Sequence, residues 1–379
     1  MSYDILISKL QEHNQEAILL TEAFKPKKII FLHGENEKNE VNHINELYKE
    51  KFPEVIVELV KLEVISLEDV SGLIEKFKEE KIAINLKDLN SLSMIILVHL
   101  CEKFNIEGLY LDIVGEKLLK LDKGNLSITK TNIKDLNIKE VIQSNGVSII
   151  CETTDINRNS TLKEMANIIA NNLNFWEDIK YKLNDKKIFI NDIEDPFVIR
   201  IDTKLFEDKE RSLCDKAIEY LKDKNQLEYD KEGDGIITVK FSNNYIKGFI
   251  FKSGSWLELY TQNIIEEIQE IEEVKTGVLF LWGDEEVRLK NEIDVMAIKD
   301  SKLICISCKD SAKYDDVALN ELDVYSNKTA GQVVKKVLVA TKAPIKISVL
   351  ERAKEMNIDI IIFDGNRSEF KKALEKSLK

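Results

Sequence analysis

The sequence predicts an α/β protein with a Rossmann-like N-terminal domain, a small mixed, winged-helix-like middle segment, and an α+β C-terminal domain. Three observations carry this expectation. Over the first 125 residues, short apolar strands alternate with amphipathic helices. From about residue 250, a helix, a hairpin and then α/β alternation follow. The length, 379 residues, suits two large units and a smaller one at about 150 residues per domain.

In the first region, residues 3–8 read as a strand, 14–24 as a helix, 28–32 as a second strand and 40–51 as a charged helix. Next come a strand over 54–60, a helix over 67–80 opened by Ser66, a strand over 81–86 and a long helix over 91–104. The strands are apolar throughout instead of alternating, which indicates a parallel sheet covered on both faces. Residues 108–113 and 117–121 predict a closing hairpin.

Sheets of this kind bind ligands beyond the carboxyl ends of their strands. The loops there span 9–14, 33–37 and 87–91, and none contains GxGxxG, so a dinucleotide fingerprint is absent. They offer hydroxyls, amides and lysines at Ser8, Lys9, Gln11, Asn14, Asn85, Lys87, Asn90 and Ser91, and histidines at His13 and His33. The helix starting near Ser91 presents free N–H groups to an anion. Ordinary surface loops and caps are the alternative reading.

In the middle segment, Leu162, Met165, Ala166, Ile169, Leu173 and Trp176 form an apolar helical stripe that reads as core. Leu213, Ala217, Ile218 and Leu221 continue helical spacing, before a turn at 231–235 and a strand at 236–241. A helix followed by a hairpin has the form of a winged helix, but no basic recognition helix accompanies it.

The C-terminal region reads as a helix over 254–268, strands over 291–299 and 302–309 joined by a tight turn, a helix over 315–328, a strand over 334–340, a helix over 347–356 and a last strand over 358–363. The four histidines are His13, His33, His43 and His99. Of these, His43 reads as helix surface and His99 as helix core. Beyond residue 99, therefore, neither a Ser-His-Asp hydrolase nor a His-ligated zinc site can be built, and carboxylates, lysines and a hard cation remain. A net charge of −13 excludes a generally basic nucleic-acid binder, though not a local basic groove. Five cysteines without a signal-like N-terminus, and no apolar run of about 18 residues, lead us to expect a cytoplasmic protein without membrane attachment.

Asp294 falls in mid-strand among Ile293, Val295 and Met296, and Lys309 ends the following strand on the same face as Ser307. A lone carboxylate there needs a partner or a cation to offset desolvation. Carboxylates holding a divalent ion beside a lysine suit phosphodiester hydrolysis. A structural Asp–Lys ion pair is the competing explanation. Glu258, near the start of the preceding helix, and Glu321, on the helix that follows, add weight to the first reading. Cys305 and Cys308 form a C-x-x-C, but in a strand they face opposite sides and cannot easily share a metal.

The segments Ser253-Gly254-Ser255-Trp256-Leu257-Glu258, Asn291-Glu292-Ile293-Asp294-Val295 and Ile306-Ser307-Cys308-Lys309 resemble signatures of CRISPR ancillary nucleases that join a CARF domain to a PD-(D/E)XK, restriction-endonuclease-like domain. The resemblance spans nearly the whole chain in the same order. It implies a CARF domain over 1–145, a connecting segment over 146–245 and a nuclease domain over 246–379. It also implies a homodimer that binds a cyclic oligoadenylate, the tetramer first, and then cleaves single-stranded RNA or DNA with Mn2+ or Mg2+. Carried over residue by residue, Glu258 and Asp294 match the metal-binding acids and Lys309 the catalytic lysine. Ser307 stands where the family has an acid, so Glu321 is the expected replacement and the Cys308 carbonyl a further metal oxygen. The loop at 87–91 also departs from the family's Thr-Gly-Gly-Thr-Lys type, with Asp88 an awkward neighbour for phosphate. The alternative implied is a nucleotide-sensing adaptor with a degenerate nuclease domain.

Overall fold

A computed structural model describes residues 2–35, 38–62, 66–87, 90–131, 135–252, 254–283 and 288–378. The first unit runs β1 (Ile5–Lys9), α1 (Gln15–Phe24), β2 (Lys28–His33), α2 (Lys38–Lys51), β3 (Ile56–Lys61), α3 (Leu67–Lys76), β4 (Ile82–Asn85), α4 (Ser91–Phe104), β5 (Glu107–Asp112), β6 (Lys117–Asp122) and β7 (Asn125–Lys130). These strands form one sheet in the order β3-β2-β1-β4-β5-β6-β7, parallel from β3 to β5 and antiparallel beyond. Residues along β1 and β2 divide between two cores: Leu6, Ile29 and Phe31 join one, and Ile5, Ile7, Ile30 and Leu32 the other. Burial on both faces is why these strands read as unbroken apolar runs. The Ser66 hydroxyl caps α3 by accepting the Asp69 N–H at 3.1 Å. The α4 helix buries Ser93, Leu97, Leu100 and Cys101. His99 falls on the other side and is exposed, not core as its apolar neighbours suggested.

The middle of the chain runs α5 (Ile138–Ser144), β8 (Ser148–Cys151), α6 (Thr154–Asn157), α7 (Ser160–Asn171), α8 (Leu173–Ile179), β9 (Phe189–Asn191), β10 (Val198–Asp202), α9 (Asp208–Asp223), β11 (Leu227–Glu232), β12 (Ile236–Phe241) and α10 (Asn244–Phe251). The apolar stripe ending at Trp176 belongs to two helices that part at Asn172. The α9 helix leads into the β11–β12 hairpin, and β10 and β9 extend that hairpin into an antiparallel sheet ordered β11-β12-β10-β9.

The last part runs α11 (Ser255–Ile265), β13 (Glu273–Trp282), β14 (Leu289–Lys299), β15 (Lys302–Lys309), α12 (Asp316–Ala330), β16 (Lys335–Ala340), α13 (Ser348–Glu355), β17 (Ile358–Ile362) and α14 (Arg367–Ser377). Its sheet is ordered β17-β16-β15-β14-β13-β8, so residues 148–151 supply an edge strand to it. The β14–β15 pairing is antiparallel, and β15, β16 and β17 are parallel. On one face, α11 and α14 pack over Val295, Ala297, Ile304 and Ile306. On the other, α12 packs Leu319 and Leu322 over Met296, Ile298 and Cys305, in a core continuous through α5 with the first unit. Among the described residues no helix is long and apolar enough to cross a membrane.

Candidate active site

The α11 helix opens at Gly254 and carries Glu258 in its first turn, half-buried between Leu257 and Leu259. Burial and the neighbouring Asp294 charge push the Glu258 carboxyl up to about 7, against the opposing pull of Lys252 and Lys309. Asp294 lies in β14 between the pairs Thr276↔Val295 and Val278↔Ile293, which puts it opposite Gly277. Here the strand turns its apolar side over: Val295 packs toward α11, whereas Ile293 and Val278 pack in the opposite core. Gly277, with a φ of +53°, supplies the left-handed backbone for that inversion. Asp294 Oδ2 accepts the Cys308 backbone N–H at 2.7 Å and the Ser307 hydroxyl at 3.1 Å.

Lys309 ends β15, half-buried, and its amine has no hydrogen bond or ion pair among the described residues. The same is true of the Glu258 carboxyl. Asp294 and Lys309 thus both act on the Glu258 charge at the end of the β14–β15 ladder. Glu321, by contrast, is exposed on α12 and makes no hydrogen bond to this group. The two cysteines face apart: Cys305 Sγ lies 3.8 Å from Thr329 on α12, and Cys308 Sγ lies 3.7 Å from Thr261 on α11. Burial pushes the Cys308 thiol well up, so it stays protonated.

In the first sheet the chain leaves β1 for β2 on one side and meets β4 on the other, so the switch point lies between β1 and β4. Ser8, next to last in β1, and Asn85, last in β4, are both buried, and the Asn85 amide donates to Ser8 Oγ at 3.0 Å. Asn85 Oδ1 accepts the Lys87 N–H at 3.1 Å, and the Gln11 amide donates to the Lys87 carbonyl at 2.8 Å. Lys87 Nζ pairs with Glu16 at 3.1 Å; burial disfavours its charge, but the Glu16 carboxylate outweighs that and raises its pKa. Gln11 and Asn14 bond each other, with Asn14 Oδ1 accepting the Gln11 N–H at 3.0 Å. Lys9 and His33, at the ends of β1 and β2, are half-buried. Asn90 is taken up as the cap of α4, accepting the Leu92 N–H at 3.0 Å, and Ser91 is exposed beside it. Ser253, Asp88 and Leu89 lie outside the described residues.

Residues 247–379 match the Card1-like endonuclease domain family. Over the whole chain the fold is shared with three solved structures. Protein VC1899 from Vibrio cholerae superposes with a TM-score of 0.74 at 15% identity, covering 98% of this chain and 97% of that one. Can2 from Sulfobacillus thermosulfidooxidans, solved in complex with cyclic tetra-adenylate, gives 0.70 at 16% identity, covering 99% and 97%. A type III CRISPR defence DNA nuclease activated by cyclic oligoadenylate gives 0.55 at 14% identity, covering 99% of this chain and 52% of that one. No curated protein sequence matches the chain. These findings support the resemblance to CRISPR ancillary nucleases.

The loop after β1 also touches the C-terminal part of the chain. Glu12 pairs with Lys328 of α12 at 2.8 Å. The His13 ring packs so closely on Gly331, which has a φ of +71°, that a Cβ there would lie 2.8 Å from it. His13 Nδ1 meets Asn145 Oδ1 at 3.0 Å, and the Asn145 amide donates to the Thr329 carbonyl at 2.6 Å. Sequence reading found His13 but not Asn145, whose partner is 184 positions away. A separate group of carboxylates, Asp135, Glu272 and Asp300, gathers within 4.8 Å where the β14–β15 turn meets the first unit, away from Glu258 and Asp294.

Proposed function

We propose that the chain is a cyclic-oligoadenylate-activated, metal-dependent nuclease of CRISPR defence that hydrolyses phosphodiester bonds in single-stranded RNA or DNA. The observation that carries this reading is the opposition of Glu258 and Asp294 beside Lys309 within the endonuclease domain. Hard oxygen donors suit Mn2+ or Mg2+. Among the described residues, Glu258 has no hydrogen-bond donor of its own and a single oxygen of Asp294 is engaged, so both have capacity for a cation. Such an ion, when bound, makes a water more acidic and polarises the phosphate.

The chain's own residues do the remainder. Ser307 and the Cys308 N–H hold Asp294 in one orientation. Glu258, which gives up its proton near neutral pH, would be a second ligand beside Asp294, and the Cys308 carbonyl would be a third oxygen. The Lys309 ammonium stabilises the charge that builds on the phosphate in the transition state. Glu321 is the proposed source of a further carboxylate, reached from α12.

On the sensor side, Ser8, Lys9, Gln11, Asn14, His33, Asn85, Lys87, Asn90 and Ser91 are proposed to meet the ring, cyclic tetra-adenylate first. A homodimer is supported by Leu92 and Ile95, which are 61% and 65% exposed on α4, the helix that Asn90 caps. Five free cysteines suit the cytoplasm. Turning an enzyme from nearly off to nearly on requires about 5.5 kcal/mol of differential ring binding. The contacts of Glu12, His13 and Asn145 with α12 offer the route.

The second reading, a sensing adaptor with an inactive nuclease domain, is favoured by Ser307 in the place of an acid and by the exposure of Glu321. Calorimetric titration with Mn2+ separates the two. A nuclease binds Mn2+ in the wild type and loses it in Asp294→Ala; an adaptor shows no Asp294-dependent binding.

A further inference from the structure

Asp310 follows Lys309 and turns inward, its side chain only 2% exposed. Its Oδ2 accepts two indole N–H groups, from Trp176 of α8 and from Trp256 of α11, each at 2.8 Å. Its Oδ1 accepts Lys180 Nζ at 2.9 Å and the Thr341 hydroxyl at 3.2 Å. Lys180 Nζ also reaches the Asp310 carbonyl at 2.8 Å and the Glu177 carboxylate, and Glu177 is paired in turn with Lys342. The charges Asp310, Lys180, Glu177 and Lys342 alternate and cancel.

A buried ionic cluster of this kind is a poor source of net stability, because desolvation offsets most of the attraction and apolar residues of like volume would serve as well. What it supplies is fixed geometry. Trp256 precedes Glu258 by two residues on α11, and Asp310 adjoins Lys309 at the end of β15. One hydrogen bond therefore ties the helix bearing the acid to the strand end bearing the lysine. Thr341 ties in the end of β16, and Lys180 and Trp176 close the group from α8.

We propose that Asp310 is a positioning residue that sets the placement of Lys309 against Glu258, with the Trp256 indole as its tie to α11. This inference rests on the nuclease reading above. The two tryptophans provide an internal control: they give bonds of equal length to the same oxygen, but only Trp256 belongs to the helix that carries Glu258. A merely structural carboxylate would make the two equivalent.

The test compares Trp256→Phe and Trp176→Phe, each of which removes the indole N–H together with the same part of the ring volume at a buried position, with Asp310→Asn as a third variant. The readouts are kcat and KM for cleavage with Mn2+, Mn2+ affinity and melting temperature. Misplacement of a reacting group predicts a loss of about tenfold or more in kcat for Trp256→Phe with KM nearly constant. Trp176→Phe should lose much less kcat at a similar change in melting temperature. Equal kcat losses in the two variants, or none in either, would overturn the proposal. Should the wild type bind Mn2+ without cleaving, the nuclease reading fails, and the same comparison made on Mn2+ affinity decides: weakening confined to Trp256→Phe supports the tie, and equal affinities overturn it. A wild type that neither binds nor cleaves removes both.

Discussion

Gly277 lies opposite Asp294 in the β13–β14 ladder, and its left-handed backbone marks the point where both strands turn their apolar sides over. Thr153 closes the space above it: a Cβ at position 277 would lie 2.5 Å from Thr153 Oγ1. Gly277→Ala should therefore destabilise the chain by about 1–3 kcal/mol, from backbone strain and the clash together, and weaken Mn2+ binding through Asp294. Adding Thr153→Ala relieves the clash but not the strain, so urea unfolding of the double variant should recover only part of the loss.

A pH dependence follows from Glu258. Its carboxyl is raised from 4.5 to about 7 in the folded chain, first by burial and then by Asp294. As the native state holds this proton more tightly than the unfolded chain, metal-free stability should fall as pH rises from 4.5 to 7 and level off above. For a half-buried group the loss is roughly 1–2 kcal/mol after solvent screening. Thermal melts of metal-free wild type and Glu258→Gln between pH 4 and 8 check this, with the variant gaining relative stability toward the alkaline end.

How much of this was legible in the sequence depended on where each residue's partners lie. The strands β1, β2 and β4 were plain because burial on both faces leaves unbroken apolar runs. The β7 strand passed unnoticed because its alternation is short, only Leu126 and Ile128 between polar residues, and it is exposed along its whole length. The β13 strand was hidden by the inversion at Gly277, which breaks the period of two, and β8 by a partner strand more than 120 residues away. Glu258, Asp294 and Lys309 were singled out from their places on a helix and two strands and from short motifs that resemble a family. Asp310 was not, since its two indole partners are 134 and 54 positions away and no local pattern records them.

Ser307 donates to Asp294 where the resembling family carries an acid. Ser307→Asp should tighten Mn2+ binding by about tenfold through an added oxygen ligand. It should also lower metal-free stability by about 1 kcal/mol or more, because a third carboxylate joins two. Calorimetric titration paired with metal-free melts reads both effects, and tightening without destabilisation would argue that the new acid points elsewhere.

The Asn145 amide bridges the loop after β1, through His13, to the end of α12 at Thr329. Asn145→Ala should leave ring affinity within about threefold while reducing ring-stimulated cleavage by roughly tenfold, a coupling loss of about 1.4 kcal/mol. Ring titrations and stimulated rates measured on the same preparation check this. Undiminished stimulation would remove Asn145 from the route.

The most direct test is cleavage of single-stranded RNA and of plasmid DNA with Mn2+, with and without cyclic tetra-adenylate, in wild type and Lys309→Ala. The account predicts cleavage that depends on the ring and disappears in Lys309→Ala. Cleavage that persists in Lys309→Ala, or absence of cleavage despite measured ring binding, would contradict it.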